Sequence, residues 1–417
     1  MLRSLNSGIS GLRANQEKLD VIGNNIANSN TTGYKSQSVN FADNISQTMK
    51  SASSASRNYG GTNEEQIGLG VNVASISTDT SKGSMDVTNR NLDCAIDQEG
   101  DYFMVAAGGT MFNEADCIKI DAQKHTMGTI PAGTSVSYTR DGSFQLDNEG
   151  NLLTSDGHRV LGYSMMGRNT LFSSGTTQYF GDVVSISRAQ GASTVGSLTG
   201  SSIIGAKSTI TSAVSTVIGR ASAAVSTLPA SSYISAGDVA FVDSSDSDLR
   251  ADGTNLHTLR IPSSVKEFYS DAQKKVHVKD VKVNSFSIGT DGVIKATLSD
   301  GKIAAIGQLA MASFSNPGGL NRAGSNYLTT SPNSGDPILR SGAAAEIKNE
   351  TAYNNSIISA DNSGGYGTVV NGALEMSNVD LAKEFTDMIV ASRAYQANSK
   401  TITTGDDTLQ TLVGLIR

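Results

Sequence analysis

The chain has no Trp, six Pro and two Cys among its 417 residues, and only 6% of it is aromatic. Each shortage removes a class of protein. Cys94 and Cys117 are too few for a disulfide framework, so a packed core must hold the fold. They could pair only if neighbouring strands brought their Cα atoms within about 7 Å; two unpaired thiols are the expectation. No apolar run approaches the roughly 20 residues that cross a bilayer. Met1-Leu2-Arg3-Ser4 does not lead into the apolar core of a cleavable signal peptide. On these grounds alone the location reads as cytoplasmic. With 17% charged residues, a net charge of −7 and no basic cluster, nucleic acid is not an expected partner.

Recognisable chemistry is scarce as well. His125, His158, His257 and His277 stand in four separate contexts without metal-ligand spacing. Asp243, Asp246, Asp248 and Asp252 gather before Gly253, but Arg250 breaks the calcium-loop spacing and no Glu closes it. A solvated acidic loop is the expectation there. Gly68-Leu69-Gly70-Val71 lacks the third Gly and the following helix of a dinucleotide loop. No Gly-x-Ser-x-Gly elbow or phosphate loop occurs. The expectation is a non-enzyme with no catalytic, cofactor-binding or metal residues and no cofactor.

What is abundant is Gly, with 43 copies, together with Ser, Thr and Ala, which suits a turn-rich β chain. The two ends differ. From Ala373 to Arg417 there is no Pro, and Leu381, Met388, Tyr395, Ile402, Leu409 and Ile416 recur every seven residues. The partner position, from Phe385 to Val413, is apolar only at its ends, so this is half a coiled-coil seam. Ser377 and Asp380 have capping-box spacing, with Ser377 as the expected cap. A helix of about 40 residues would be roughly 60 Å long and needs partners along its length. A second stripe holds small or short residues: Ala391, Ala394, Asn398, Thr401, Gly405 and Thr408. It is expected to face a neighbouring copy closely.

The N-terminus carries the matching pattern. Leu2, Leu5, Ile9, Leu12, Gln16, Leu19, Gly23 and Ile26 alternate spacings of three and four, beside a small stripe of Ser7, Gly11 and Ala14. Turn formers from Asn28 to Gly33 stop it. Two heptad helices at opposite ends suggest an antiparallel pair with the rest of the chain as an excursion.

Within that excursion, residues 36 to 75 are polar and nearly without period, and read as a connector ordered by its neighbours. From Val71 the period becomes two. Leu92 to Asp97 and Tyr102 to Val105 read as strands, followed by a meander with turns at Asp141-Gly142, Asn148-Glu149-Gly150 and Asp156-Gly157. Ser185 to Ala236, rich in β-branched residues, and a second meander from Val276 through Asp300-Gly301 read as a separate β-domain.

Three stretches resemble the bacterial flagellar rod and hook axial proteins. They are Leu5-Asn6-Ser7-Gly8-Ile9-Ser10-Gly11-Leu12, Leu19 to Asn28, and Thr32-Gly33-Tyr34-Lys35. Ser377 to Leu381 and Arg393 to Lys400 are similar to the other end of that family. The resemblance covers the first and last 45 or so residues, and more weakly Tyr138 to Gly157 and Ile306 to Leu320. The excursion is longer than the rod members suggest and resembles the hook members.

The resemblance implies a multidomain α+β chain: terminal long helices pairing as an antiparallel coiled-coil-like core, with nested all-β domains between them. The expected divisions are 1–30 with 373–417 as helical core, 31–75 as connector, 76–169 with 306–372 as inner β-domain, and 170–305 as inserted outer β-domain. Residues 108–137 and 338–371 depart from the pattern.

It further implies many copies stacked helically into a tube, helices inside and β-domains outside. Leu5, Ile9, Leu12, Leu19, Ile26, Leu381, Met388, Ala394, Tyr395, Ile402 and Leu409 would be the assembly residues. Implied partners are further copies of the chain, rod and hook–filament junction proteins, the hook cap, and the flagellar export apparatus, through which the chain leaves the cell without signal cleavage. The implied function is a flexible joint passing torque from rod to filament. A distal rod protein is the alternative within the family, and an extracellular adhesin the one outside it.

Overall fold

A computed structural model describes residues 2–415 apart from 56, 58, 109–116, 122–125, 175–176, 185–238, 246–248, 252–254, 271–275 and 341–366. Ser185 to Ala236, His125, Asp246, Asp248, Asp252 and most of 338–371 therefore lie outside the described residues. The chain divides into two compact units. One joins Met1–Ser84 to Met376–Arg417, and the other is Met85–Glu375.

In the terminal unit, α1 spans Leu2–Ala27 and α2 spans the 35 residues Leu381–Leu415, about 52 Å of helix. The cap of α2 is Asp380. Its Oδ1 accepts from the backbone N–H groups of Ala382 at 2.9 Å and Lys383 at 3.2 Å. Ser377, the expected cap, accepts instead from the Val379 N–H at 3.3 Å, ahead of the helix. A carboxylate satisfies the same orphan donors as a hydroxyl and adds a charge favourable at a helix N-terminus.

Residues 36 to 75, expected as a polar connector, carry strands. β1 (Gln37–Asp43) and β2 (Ser46–Lys50) run out, and β3 (Glu65–Gly68) and β4 (Val71–Thr78) return. β1 pairs antiparallel with β4, and β2 with β3. Val39 stands opposite Ile76 and Phe41 opposite Val73, while Ser38 and Ser77 join hydroxyls at 2.9 Å. A register shift between Asn40 and Phe41 interrupts the alternation, so the strand period is hard to see in the sequence. α1 packs against this ribbon where the Val71 N–H donates to Ser10 Oγ at 3.3 Å.

The second unit is a network of antiparallel strands. It opens with β5 (Met85–Val87), β6 (Cys94–Ile96) and β7 (Asp101–Ala107). β7 pairs with Ser135–Thr139, Arg159–Ser174 and Met311–Ser313. Its side chains alternate between two cores. Phe103 and Val105 pack with Cys94, Ile96, Phe144 and Leu152, while Tyr102, Met104 and Ala106 pack with Tyr138, Leu161, Tyr163 and Phe314. Burial on both faces explains why this strand reads as an unbroken apolar run. Each large side chain so buried contributes about 1.5–3 kcal/mol.

The acidic–Gly turns work in two ways. Gly157 and Gly292 sit at φ +83° and +73°, the left-handed region open to Gly. Gly142 instead yields space: a Cβ there would collide with the Cys94 carbonyl oxygen. Cys94 and Cys117 are both buried and are not joined in a disulfide. Burial pushes the Cys94 thiol up to about 12, which leaves it unreactive.

The chain returns through Val369–Asn371, paired with β6, and Ala373–Glu375, paired with β5. Arg140 secures that return. Its guanidinium meets Glu375 at 2.9 Å, donates to the Ile96 carbonyl at 3.2 Å and lies 5.5 Å above the centre of the Tyr102 ring.

Candidate assembly interface

α1 and α2 touch along most of α1. Leu5 lies beside Gly405, Gly8 beside Thr401 and Ile402, and Gly11 beside Asn398. Further along, Lys18 Nζ reaches Asp387 at 3.4 Å and Asn25 Nδ2 reaches Glu384 at 3.0 Å. As the numbers rise along α1 they fall along α2, so the two run antiparallel.

The glycines set how closely the helices approach. A Cβ on Gly11 would come within 2.7 Å of Asn398 Nδ2, and one on Gly405 within 2.7 Å of Leu5 Cδ2. Gly8, Gly11, Ala14, Ile22 and Asn25 are buried on α1, and Ala391 on α2. The small-residue stripe of α2, expected to face a neighbouring copy, is thus turned toward α1 at Thr401, Gly405 and Asn398. Two backbones can come this close only where both lack bulk, and the two stripes meet that condition together.

The eleven sequence-chosen assembly residues fare unevenly. Leu5 packs on Gly405, and Ile402 on Gly8. Leu12, Leu19, Ile26, Met388, Ala394 and Leu409 are half-buried, while Ile9, Leu381 and Tyr395 are exposed. None of the eleven is fully buried within the chain. Further exposed apolar groups on α2 lie outside those eleven: Phe385 at 51%, Ile389 at 63% and Val390 at 57% exposure, with Leu412, Val413 and Leu415 near its end. Large apolar side chains gathered on one element and left in water mark an interaction surface.

Sequence reasoning also missed a polar junction at the other end of α1. Asn25, fully buried, donates from Nδ2 to the Gln37 carbonyl at 2.8 Å and to Glu384. Its Oδ1 accepts from the Gln37 N–H at 3.0 Å and the Tyr34 hydroxyl at 3.2 Å. Nearby, Asn378 Oδ1 accepts from the Ser36 N–H at 2.8 Å, and its Nδ2 donates to the Asp79 carbonyl at 3.1 Å. Lys35 Nζ reaches the Ser81 carbonyl at 2.6 Å. One side-chain amide closes each gap between a helix end and a strand. The visible signal was an Asn at a core-facing position of an amphipathic helix.

Burial raises the Glu384 carboxyl above its ordinary 4.5, with Asp387 adding repulsion, against the lowering effect of the Asn25 hydrogen bond. Among the described residues, no group of three or more His, Cys, Asp or Glu could hold a metal ion. No helix among them is long and apolar enough to cross a membrane.

In chain order, two long terminal helices flank a large β excursion, and large apolar groups stand exposed on α2. Comparison with known proteins gives the class. Residues 5–35 match the family described as flagella basal body rod protein, and 370–415 the C-terminal part of flagellar basal body rod FlgEFG proteins. Residues 129–195 match the D1 domain of the flagellar hook proteins FlgE, FlgF and FlgG. The flagellar basal-body rod protein FlgG of Bacillus subtilis is 33% identical over the whole of both chains. The flagellar hook protein FlgE of Borreliella burgdorferi is 29% identical, again over both whole chains, and that of Escherichia coli 29% over 99% of this chain and 100% of its own. The chain belongs to the flagellar rod and hook protein family.

Proposed function

We propose that the chain is a hook subunit, which polymerises helically into a flexible tube joining rod to filament. The observation that carries the polymer is the set of large apolar side chains on α2, led by Phe385 and Ile389, that the chain leaves in water. In a polymer these meet neighbouring copies, with α1 and α2 pairing in the manner of a coiled coil. The heptad positions Leu381, Tyr395 and Ile9 join that surface. The long excursion between the helices favours hook over rod.

A distal rod subunit is the second reading, favoured by the 33% identity to the Bacillus subtilis rod protein. Either role makes copies of itself and the adjoining axial proteins the partners, with the export channel as the route out of the cell. Electron microscopy of basal bodies from cells lacking the protein separates the two. The hook reading expects complete rods that cross the envelope and bear no hook. Rods cut short inside the envelope would select the rod.

A further inference from the structure

We infer that Asn25 is a positioning residue: it pins the register of α2 against α1. The packing between the helices specifies register weakly. Gly8 and Gly11 now face Thr401 and Asn398. A slide of one heptad, about 10.5 Å, would put Ala394 and Ala391 there instead, and these are equally small. The same slide trades the Lys18–Asp387 ion pair for Lys18 with Asp380, another carboxylate. A small-residue stripe therefore admits several registers of similar packing quality.

Asn25 does not. It is wholly buried, and its amide bonds both backbone groups of Gln37, at 2.8 and 3.0 Å, as a neighbouring strand would. That fixes the side chain relative to β1. The same Nδ2 then reaches Glu384 on α2 at 3.0 Å. In any slipped register that donor loses its partner on α2 while remaining buried, a penalty the native register avoids. A single buried Asn setting register between helices is a known physical device. Asn378 assists from the segment just ahead of α2, holding the chain that enters the helix to Ser36 and Asp79.

The consequence is functional. A one-heptad slip would carry Leu381, Phe385 and Ile389 along the helix axis by about 10.5 Å. Copies could not then repeat one contact along a polymer.

The test is cysteine crosslinking in the full-length soluble chain, whose two native thiols are buried. Leu5→Cys with Gly405→Cys reports the native register, and Leu5→Cys with Leu412→Cys or Asn398→Cys reports slips of one heptad in either direction. The unaltered background should crosslink only the native pair. Asn25→Asp keeps the shape, loses the donor and sets a carboxylate against Glu384; it should raise the slipped-to-native ratio about tenfold. Glu384→Ala leaves the Asn25–Gln37 bonds intact and should shift the ratio the same way, which guards against Asn25→Asp merely unfolding the junction. Native crosslinks alone in both variants, or slipped crosslinks already present in the parent, would overturn the assignment. The readout needs no polymer, so it fails or succeeds independently of the hook reading.

Discussion

Arg140 Nη1 stands 2.9 Å from the Glu375 carboxylate, with 2% and 0% of the two side chains exposed. The pair ties the Ser135–Thr139 strand region to the last residues of the β unit. Removing one member of a buried pair leaves an uncompensated charge and typically costs about 3–5 kcal/mol. Arg140→Met should therefore lower unfolding stability by that amount in urea titration. Arg140→Met combined with Glu375→Leu should recover most of it. A single variant as stable as the parent would show that solvent reaches Glu375.

The same contact says where the β unit ends. A fragment cut as 85–375 keeps Ala373–Glu375 paired with β5 and keeps the Arg140 bridge. It should show a cooperative melt and dispersed spectra. A fragment ending at residue 366 loses both return strands, and with them the pairing that covers β5 and β6. It should expose its core and bind a hydrophobic dye. Equal cooperativity in the two fragments would remove the return strands from the folding unit.

Gly11→Val tests the close approach of the helices. The added branch would displace the Asn398 side-chain amide from its place against α1, and overpacking a tight contact costs about 1–3 kcal/mol. The expected outcome is faster amide exchange along both α1 and α2, with the Met85–Glu375 unit unchanged. Unchanged exchange in α2 would mean that the helices are not held by this contact.

Glu384 gives the terminal unit a pH dependence of definite sign. Burial raises its folded pKa, with Asp387 adding to the shift. A raised folded pKa means the folded form binds the proton more readily. Its contribution is fully present below the unfolded value and is lost as pH rises through the folded one. The α1–α2 contact should therefore weaken relative to Glu384→Gln as pH climbs through the carboxylate range, read by amide exchange at Asn25 and its neighbours. A difference that grows on acidification instead would reverse the assignment of burial as the dominant cause.

Much of this was legible in the residues, and the misses have physical causes. Heptad spacing revealed both helices because an amphipathic pattern is written into the chain itself. Which stripe meets its own chain was not legible. Gly11 and Ala394 look alike whether they face α1 or another copy, and only the three-dimensional pairing decides. The strands from Gln37 to Gly68 escaped because they are rich in Ser and Asn and a bulge at Asn40 breaks their period, whereas the period of two was visible from Val71. Tyr102 to Val105 was read correctly as a strand, within the β7 run Asp101–Ala107. The cap moved from Ser377 to Asp380 because both side chains can accept from a helix N-terminus, and spacing alone does not rank them. Asn25 was hidden inside a stretch that otherwise reads simply as the end of a helix.

The central claim is that apolar groups left exposed on α2 are the contacts between copies. Phe385→Ser with Ile389→Ser in the full-length chain tests it most directly. Both side chains are more than half exposed, so each change should alter the stability of the soluble monomer by only about 0.5 kcal/mol. Assembly should fail, because every copy would lose the same apolar contact. The measurement is negative-stain electron microscopy and pelleting of purified protein under conditions in which the parent forms tubes. The account predicts tubes from the parent and none from the variant, with matching monomer melts. Tubes of normal yield and curvature from the variant would contradict it.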